Sequence, residues 1–421
     1  MGTFYGNYKG SKFVAKQKKK KGRGLVILAV TLAVLAGLYC VAVFSNIPFV
    51  KKWREIYIQT AMSTMRHQWL ATYFIPHSVI DDVMARQKAA EEEQIGVNST
   101  DVEIETQAPW NAPNASYATG EAHRELTEEQ KKFYALFWEL EVDSMETYLA
   151  AHPEAVAQGY DKIKINEAGV DDEGTSIYTT FGEQVLAIDV PNQILIVRLT
   201  DHEMYRGVLC VAKDPARLHL YPSAYMGSVG EHVQDIAERH NGVLAMTGSS
   251  FIDDGGSGNG GDLAGWCMCD GERHGEHFGW SYKRIELREN NRFYITDAPE
   301  PVDDRTTDAV EFTPSLLVNG EKMPVGDWTS LNPRACIGQS EYGEILMLGI
   351  EGRNPGVSMG CSVEVCADIF KLHKGQTAIN LDGGTSAIVW YDGEPIIRCS
   401  NKNTPEGRYL PNAWVYTAGE E

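Results

Sequence analysis

Three glycine-rich breaks, each at the end of an apolar run, hold the residues of this 421-residue chain best suited to chemistry. The sharpest is Asp382-Gly383-Gly384-Thr385-Ser386, set between AINL and AIVWY. It gathers one carboxylate, two glycine N–H groups and two hydroxyls, where a hairpin needs only an Asp-Gly turn of the kind found at Asp392-Gly393. The second break spans residues 332–360 and carries Arg334, Glu351 and Arg353; the third, MTGSSFIDDGGSGNGGDLAGW, carries Ser249 and Ser250. Consecutive glycines can fold into a nest of N–H groups that holds an anion. Arginines add bidentate partners for phosphate or carboxylate, and Arg334, Arg353 and Arg408 lie in or near these loops. Composition alone favours a tight turn at Asp382-Gly383-Gly384; the company it keeps points to anion recognition beside a carboxylate.

Other chemistries fit less well. Asp253, Asp254, Asn259 and Asp262 among glycines form an alternative calcium loop, although their spacing matches neither an EF-hand nor a repeated nonapeptide. GSGNGG lacks the helix and the later acidic residue of a dinucleotide fingerprint. The chain contains no His-Glu-x-x-His motif, which argues against zinc-protease chemistry.

The loops need a scaffold, and the neighbouring sequence supplies one. From about Ile163, short β-like runs follow one another with turn residues between them: QVLAIDV, ILIVRLT, GVLCVAK, LHLYP, VLAMTGSSF, YKRIEL, RFYIT, SLLVNG, ACIGQ, EILMLGI and TAINL. Two amphipathic helices interrupt them, VGEHVQDIAERHNG and SVEVCADIFKLHKG. This pattern predicts an α+β (mixed α/β) domain over 160–421, with a mixed β-sheet core and flanking helices. A helical segment is expected over 126–159, where Thr127 and Gln130 form a capping-box signature. Residues 89–125 are polar and acidic and read as a linker. Within a juxtamembrane segment, 45–88, Ile56 to Val83 reads as one helix rich in Trp, Tyr and Met. Its aromatics suit a membrane interface, or packing on the outer domain or a second copy; His67 and His77 read as structural.

Leu25 to Phe44 is a twenty-residue run without a charge, which as a helix spans roughly 30 Å, the thickness of a bilayer core. It is longer than a signal-peptide core and no convincing cleavage site follows, so it reads as an uncleaved anchor. Residues 1–24 hold eight Lys or Arg and no acid, against Lys51, Lys52 and Arg54 soon after the span. That asymmetry predicts a single-pass plasma-membrane protein with a cytoplasmic basic tail and the remainder outside. With a net charge of −20 overall, the chain beyond the tail carries −28, which argues against nucleic acid or anionic lipid as its main partner. Seven of the eight cysteines lie outside the span; most read as small buried hydrophobes rather than a disulfide framework.

The ordered set GSSF, PRACIG, IEGRNPGVSMGCSVEVCADIF, AINLDGGTSAIVWYDGEPI and RYLPNAWVY resembles the phosphodiester glycosidase family over roughly residues 205–417. That family includes the enzyme that uncovers mannose phosphate by removing N-acetylglucosamine, and the anchor and aromatic helix look like those of Gram-positive members. Three departures stand out: Thr247-Gly248-Ser249-Ser250-Phe251 replaces Asn-Gly-Gly-Phe-Phe, Glu351-Gly352-Arg353 replaces Asp-Gly-Arg, and Thr385 replaces a glycine. The resemblance implies hydrolysis between an anomeric carbon and a phosphate, on a phosphorylated glycan or teichoic-acid-like polymer of the envelope. Mapped here, it gives the phosphate to Arg334 and Arg353 with N–H groups of Gly383 and Gly384, hydroxyls of Thr385 and Ser386, and Arg408 as a third cation. Asp382 would act on the anomeric carbon, with Glu351 as second carboxylate. Asn380, two residues before Asp382 on one strand, would bind the sugar or orient Asp382, and Ser249 and Ser250 would line the sugar side. No cofactor is implied. A non-catalytic module binding anionic polymer, or a transferase building one, would use the same loops.

Overall fold

The computed structural model describes residues 2, 21–101, 126–201, 204–277 and 282–419. Most of the expected basic tail and the stretch 102–125 of the expected linker lie outside the described residues. The chain divides into two units, Met1–Arg54 and Glu55–Glu421. In the first, the helix Lys21–Phe44 (α1) exposes Leu, Val and Ile on its surface. It is long and apolar enough to cross a membrane.

The helix expected over Ile56–Val83 is three helices: Pro48–Met62 (α2), Trp69–Thr72 (α3) and His77–Glu92 (α4). Local chemistry explains both breaks. The Ser63 and Thr64 hydroxyls donate back to the carbonyls of Thr60 and Ala61, each at 2.9 Å, competing with the helical ladder. Pro76, extended at ψ 137°, then starts α4, because proline disfavours helix in the residue before it and cannot donate an N–H. Beyond α4 the chain stays packed as far as Thr100. Gln94 is buried and exchanges hydrogen bonds with Ser315, and Ser99 N–H donates to the Ile295 carbonyl at 2.7 Å. The capping box is present, with Thr127 accepting from Gln130 N and Gln130 accepting from Thr127 N. It opens Glu128–Leu136 (α5), and Val142–Ala151 (α6) follows.

The remainder is an α+β arrangement of three sheets. The largest has nine strands in the order Lys164–Asn166 (β1), Gln184–Asp189 (β2), Ile194–Asp201 (β3), Tyr205–Ala212 (β4), Ile345–Ile350 (β15), Arg334–Ser340 (β14), Gly375–Asn380 (β16), Ser315–Val318 (β12) and Glu321–Lys322 (β13). A second contains Arg292–Asp297 (β10), Lys283–Arg288 (β9), Thr306–Phe312 (β11), Trp266–Cys269 (β7) and Glu272–Gly275 (β8). The third contains Glu394–Pro395 (β18), Val389–Tyr391 (β17), Gly242–Thr247 (β6), Asn412–Thr417 (β19) and Leu218–Pro222 (β5). Every pairing among the described strands is antiparallel. The fold is therefore mixed in its helix and sheet content, not in strand direction, as suits strands joined by short hairpins.

β15 reads as a continuous apolar run because it is buried along its whole length, and β14 is as fully buried although it carries Arg334, Gln339 and Ser340. Val233–Arg239 (α7) packs on the third sheet, and Val363–Leu372 (α8) packs on β12, β14 and β16. α8 forms where Val363, Cys366, Ala367, Ile369 and Phe370 make one buried face and the Ser362 side chain caps Val365 N–H. Lys374, at φ 59°, ends it and turns the chain into β16. Cys361 precedes the N-cap, and its sulfur is 3.5 Å from that of Cys366, one turn inside the helix. All seven cysteines beyond the span are buried and unbridged.

Candidate active site

Three strand ends meet at one end of the nine-stranded sheet. β14 begins at Arg334 opposite Ile350, the last residue of β15, and Cys336 pairs with Asn380, the last residue of β16. Antiparallel pairing therefore brings the loop before β14 and the loops after β15 and β16 together. The third glycine loop arrives from another sheet. β6 ends at Thr247, whose hydroxyl donates to the Ser386 carbonyl and accepts from Ile388 N–H at 3.1 Å. Segments more than a hundred residues apart thus surround Asp382.

After β16, Leu381 N–H donates to the Ala335 carbonyl at 2.8 Å, and the ladder stops. Gly384 N–H donates to Pro333 O at 3.1 Å and Ser386 N–H to Gly383 O at 3.1 Å, closing one turn of 3₁₀ helix, Gly384–Ser386. Both glycines answer to their neighbours. A Cβ on Gly383 would lie 2.6 Å from Pro333 O; one on Gly384, whose φ is +64°, would lie 3.0 Å from Arg353 Nη1. Thr385 does not occupy the positive-φ position, which is why a β-branched residue fits there. The turn directs the Ser386 side chain onto the Asp382 carboxylate. Burial pushes the Asp382 pKa up to about 6; Ser386, Arg408 and Arg353 pull it down, while Asp253 adds to the rise.

The three arginines do different work. Arg353 sits in the left-handed region, φ 57°, and turns its guanidinium inward onto Gly384. Its Nη2 donates to Asn332 Oδ1 at 3.1 Å. Arg408 donates from both terminal nitrogens to Asp253, at 2.5 and 3.0 Å, and from Nη2 to the Gly258 carbonyl at 2.8 Å, with its guanidinium over the Phe251 ring. That pairing holds the Asp253 carboxyl below its ordinary range. Arg334 is buried, and its Nε and Nη2 are bound to the carbonyls of Cys361 and Ser330 at 3.0 and 2.8 Å. It clamps the loops, and its charge is felt by Arg353.

Several residues expected at the site are held by protein partners. Glu351 is buried with Oε2 at 2.7 Å from Arg206 Nε and Oε1 accepting from Arg398 N–H at 2.6 Å, so both oxygens are committed to structure. Asn380 donates to Thr313 O at 2.9 Å and accepts from the Cys336 thiol, which fixes the strand end. Ser249 is held by Asn412 through N–H and hydroxyl, at 2.7 and 2.9 Å, and Ser250 donates to Ala264 O at 3.1 Å. The Gly384 N–H, expected to face an anion, is taken by Pro333. Of the residues read as an alternative calcium loop, Asp253 is bound to Arg408, and Asn259 to the backbone of Ser228 and Gly261.

The structure adds Asp253, Asn332 and Cys399, whose thiol donates to Thr385 O at 3.5 Å. Only Asp253 had drawn attention in the sequence, as part of an alternative calcium loop; its arginine lies 155 residues downstream.

Fold and geometry together define an α+β domain of antiparallel sheets with a carboxylate set among guanidinium groups at converging strand ends. The family model described as phosphodiester glycosidase matches residues 240–417, the span that holds Asp253, Arg353, Asp382 and Arg408. No curated protein matches the chain. Among solved structures, the chain is similar to the catalytic domain of zebrafish N-acetylglucosamine-1-phosphodiester alpha-N-acetylglucosaminidase auto-inhibited by its pro-peptide, at 17% identity and a TM-score of 0.45, over 54% of this chain and 82% of that one. It is also similar to a hypothetical protein from Synechocystis, at 12% identity and a TM-score of 0.36, over 55% of this chain and 63% of that one.

Proposed function

We propose that this chain is a membrane-anchored hydrolase that cleaves the bond between a sugar's anomeric carbon and phosphate in a glycosyl phosphodiester. The observation that carries the reading is Asp382, a half-buried carboxylate with a pKa near 6 under the charges of Arg353 and Arg408, inside the span that matches phosphodiester glycosidases. Ordinary glycoside hydrolysis needs a second carboxyl group to protonate an alkoxide leaving group. A phosphate monoester has a second pKa of about 6 and departs as a stable anion, so one working carboxylate suffices. Asp253, the other carboxylate that Asp382 feels, is already held by Arg408.

In the proposed reaction, Asp382 accepts a proton from water as the water oxygen bonds to the anomeric carbon. The carbon–oxygen bond to phosphate breaks, and its electron pair leaves with the phosphate. Arg353 faces that charge, held in place by Asn332 and the bare Gly384, while Arg334 adds positive potential from behind. The substrate class is an N-acetylglucosamine-1-phospho-type or related diester of an envelope or extracellular polysaccharide, reached by a C-terminal domain outside the plasma membrane with the basic tail inside. The test is incubation with the methyl phosphodiester of N-acetylglucosamine. Release of free sugar supports the reading. Saturable binding without release would replace it with a binding module, and product only on adding an acceptor would replace it with a transferase.

A further inference from the structure

Asn332 holds the Arg353 guanidinium, and what holds the Asn332 side chain comes from outside the span that matches the family model. An arginine side chain only donates, so Asn332 must turn Oδ1 to Arg353, at 3.1 Å, and its amide N–H groups need an acceptor elsewhere. That acceptor is Ser63. Asn332 Nδ2 donates to Ser63 Oγ at 3.0 Å, while the Ser63 hydroxyl gives its own proton to the Thr60 carbonyl at 2.9 Å. With that proton committed, the Ser63 oxygen can only accept, which fixes the way round that the Asn332 amide sits. The hydrogen bonds through Thr60, Ser63, Asn332 and Arg353 therefore run with one polarity from the end of α2 to the site.

The same segment makes further contacts with the site loops. Gln59 is buried, donating to Asp327 O at 2.5 Å and accepting from Thr329 N–H at 2.6 Å. Thr60 Oγ1 accepts from Leu331 N–H at 3.0 Å, beside Asn332. Arg66 donates to the carbonyls of Gly255 and Gly256, at 3.1 and 3.0 Å. Arg408 first, and Arg66 more weakly, hold the Asp253 carboxyl down. Residues 59–66 thus reach the partners of both arginines that act on Asp382.

We propose that Ser63 is a positioning residue of the site: it orients Asn332, which presents Arg353 to the phosphate of the substrate. The working site then extends to residues 59–66, far from the matched span 240–417. The identity of the substrate rests on the hydrolase reading above; the relay does not. Ordering the Asn332 amide and the guanidinium in the free chain removes the cost of ordering them when the phosphate arrives. Ser63 should therefore matter only while Arg353 is present.

The experiment is a double-mutant cycle on the full-length chain in detergent, with Ser63→Ala, Arg353→Ala and both together, assayed on the methyl phosphodiester of N-acetylglucosamine. Ser63→Ala is expected to raise KM about three- to tenfold, the worth of one hydrogen bond, and to change kcat little. The acidic limb of its rate profile should move to higher pH, because a guanidinium that drifts from Asp382 pulls that pKa down less. Ser63→Thr, which keeps the hydroxyl, should restore the parent values. In the Arg353→Ala background, Ser63→Ala should change KM by less than about twofold. No change in KM on Ser63→Ala, or an equal change with and without Arg353, would overturn the relay. Faster turnover by Ser63→Ala would overturn it in favour of a restraint on the site. If the parent chain releases no sugar, the hydrolase reading fails, and the same cycle is read from Kd for the intact diester. Coupling between the two substitutions upholds the relay there, and additivity sinks it.

Discussion

In the proposed reaction, Asp382 would set the pH behaviour. If its ionised form takes the proton from water, kcat/KM rises with pH and levels off above an apparent pKa of about 6. Asp382→Asn is expected to lower turnover by about two orders of magnitude or more, read from initial rates on a sugar-1-phosphodiester. Its stability should move the other way. The folded pKa lies above the unfolded one, so the group's favourable contribution is complete below about pH 4 and is lost as pH rises through 6. Asp382→Asn should therefore melt cooperatively at pH 7 to 8, at the same or a higher temperature than the parent chain. Arg353 pulls the Asp382 pKa down, so Arg353→Ala should shift the acidic limb of the rate profile to higher pH and also raise KM. A KM effect without a pH shift would mean that Arg353 acts on substrate alone.

The elements around the site are coupled through glycine. Gly384→Ala introduces a side chain at φ +64° and 3.0 Å from Arg353 Nη1. The expected cost is about 1 kcal/mol of stability from the backbone, together with a raised KM because the guanidinium must move. Gly383→Ala meets the Pro333 carbonyl at 2.6 Å, a backbone atom that cannot swing aside, so it should lower the melting temperature more than Gly384→Ala; thermal melts of the two variants compare them. The broken α2–α3–α4 segment shows how local chemistry overrides a periodic pattern. Apolar spacing over Ile56–Val83 reads as one helix, while Ser63, Thr64 and Pro76 divide it, and the break lets Ser63 and Arg66 reach the site loops.

Across the molecule, a buried ionic cluster joins the helical segment to the main sheet. Lys213, just past β4, contacts Glu139 at 2.6 Å and Glu344, on the β14–β15 turn, at 2.7 Å; Trp138 Nε1 donates to the same Glu344 oxygen. Burial pushes Glu139 up to about 7, against the pull of Lys213. Lys213→Met would strand two buried carboxyl groups, costing about 3–5 kcal/mol. The loss should be larger at pH 8 than at pH 5, where Glu139 can be protonated; denaturant titrations at both values measure it. No pattern near Glu139 announces this cluster, since its members lie 74 and 131 residues apart. β7, β8 and β11 were missed for a related reason. β11 carries Asp308 and Glu311, which look like solvent-facing residues but are buried, accepting from Leu220 N–H and facing His277.

Local sequence by itself determined what depends on near neighbours: the apolar span, the capping box at Thr127, the runs that became β2 to β4 and β14 to β16, and the glycine break at Asp382. These rest on periodicity, capping and backbone freedom, which act within a few residues. Tertiary structure decided which partner each charged group has. Glu351 is neutralised by Arg206, Asp253 is claimed by Arg408, Arg334 is absorbed by carbonyls, and Asp382 is left with a raised pKa. Partners of that kind are set by strand register and by contacts across tens or hundreds of residues, and burial sets the strength of each charge; neither is encoded in spacing along the chain.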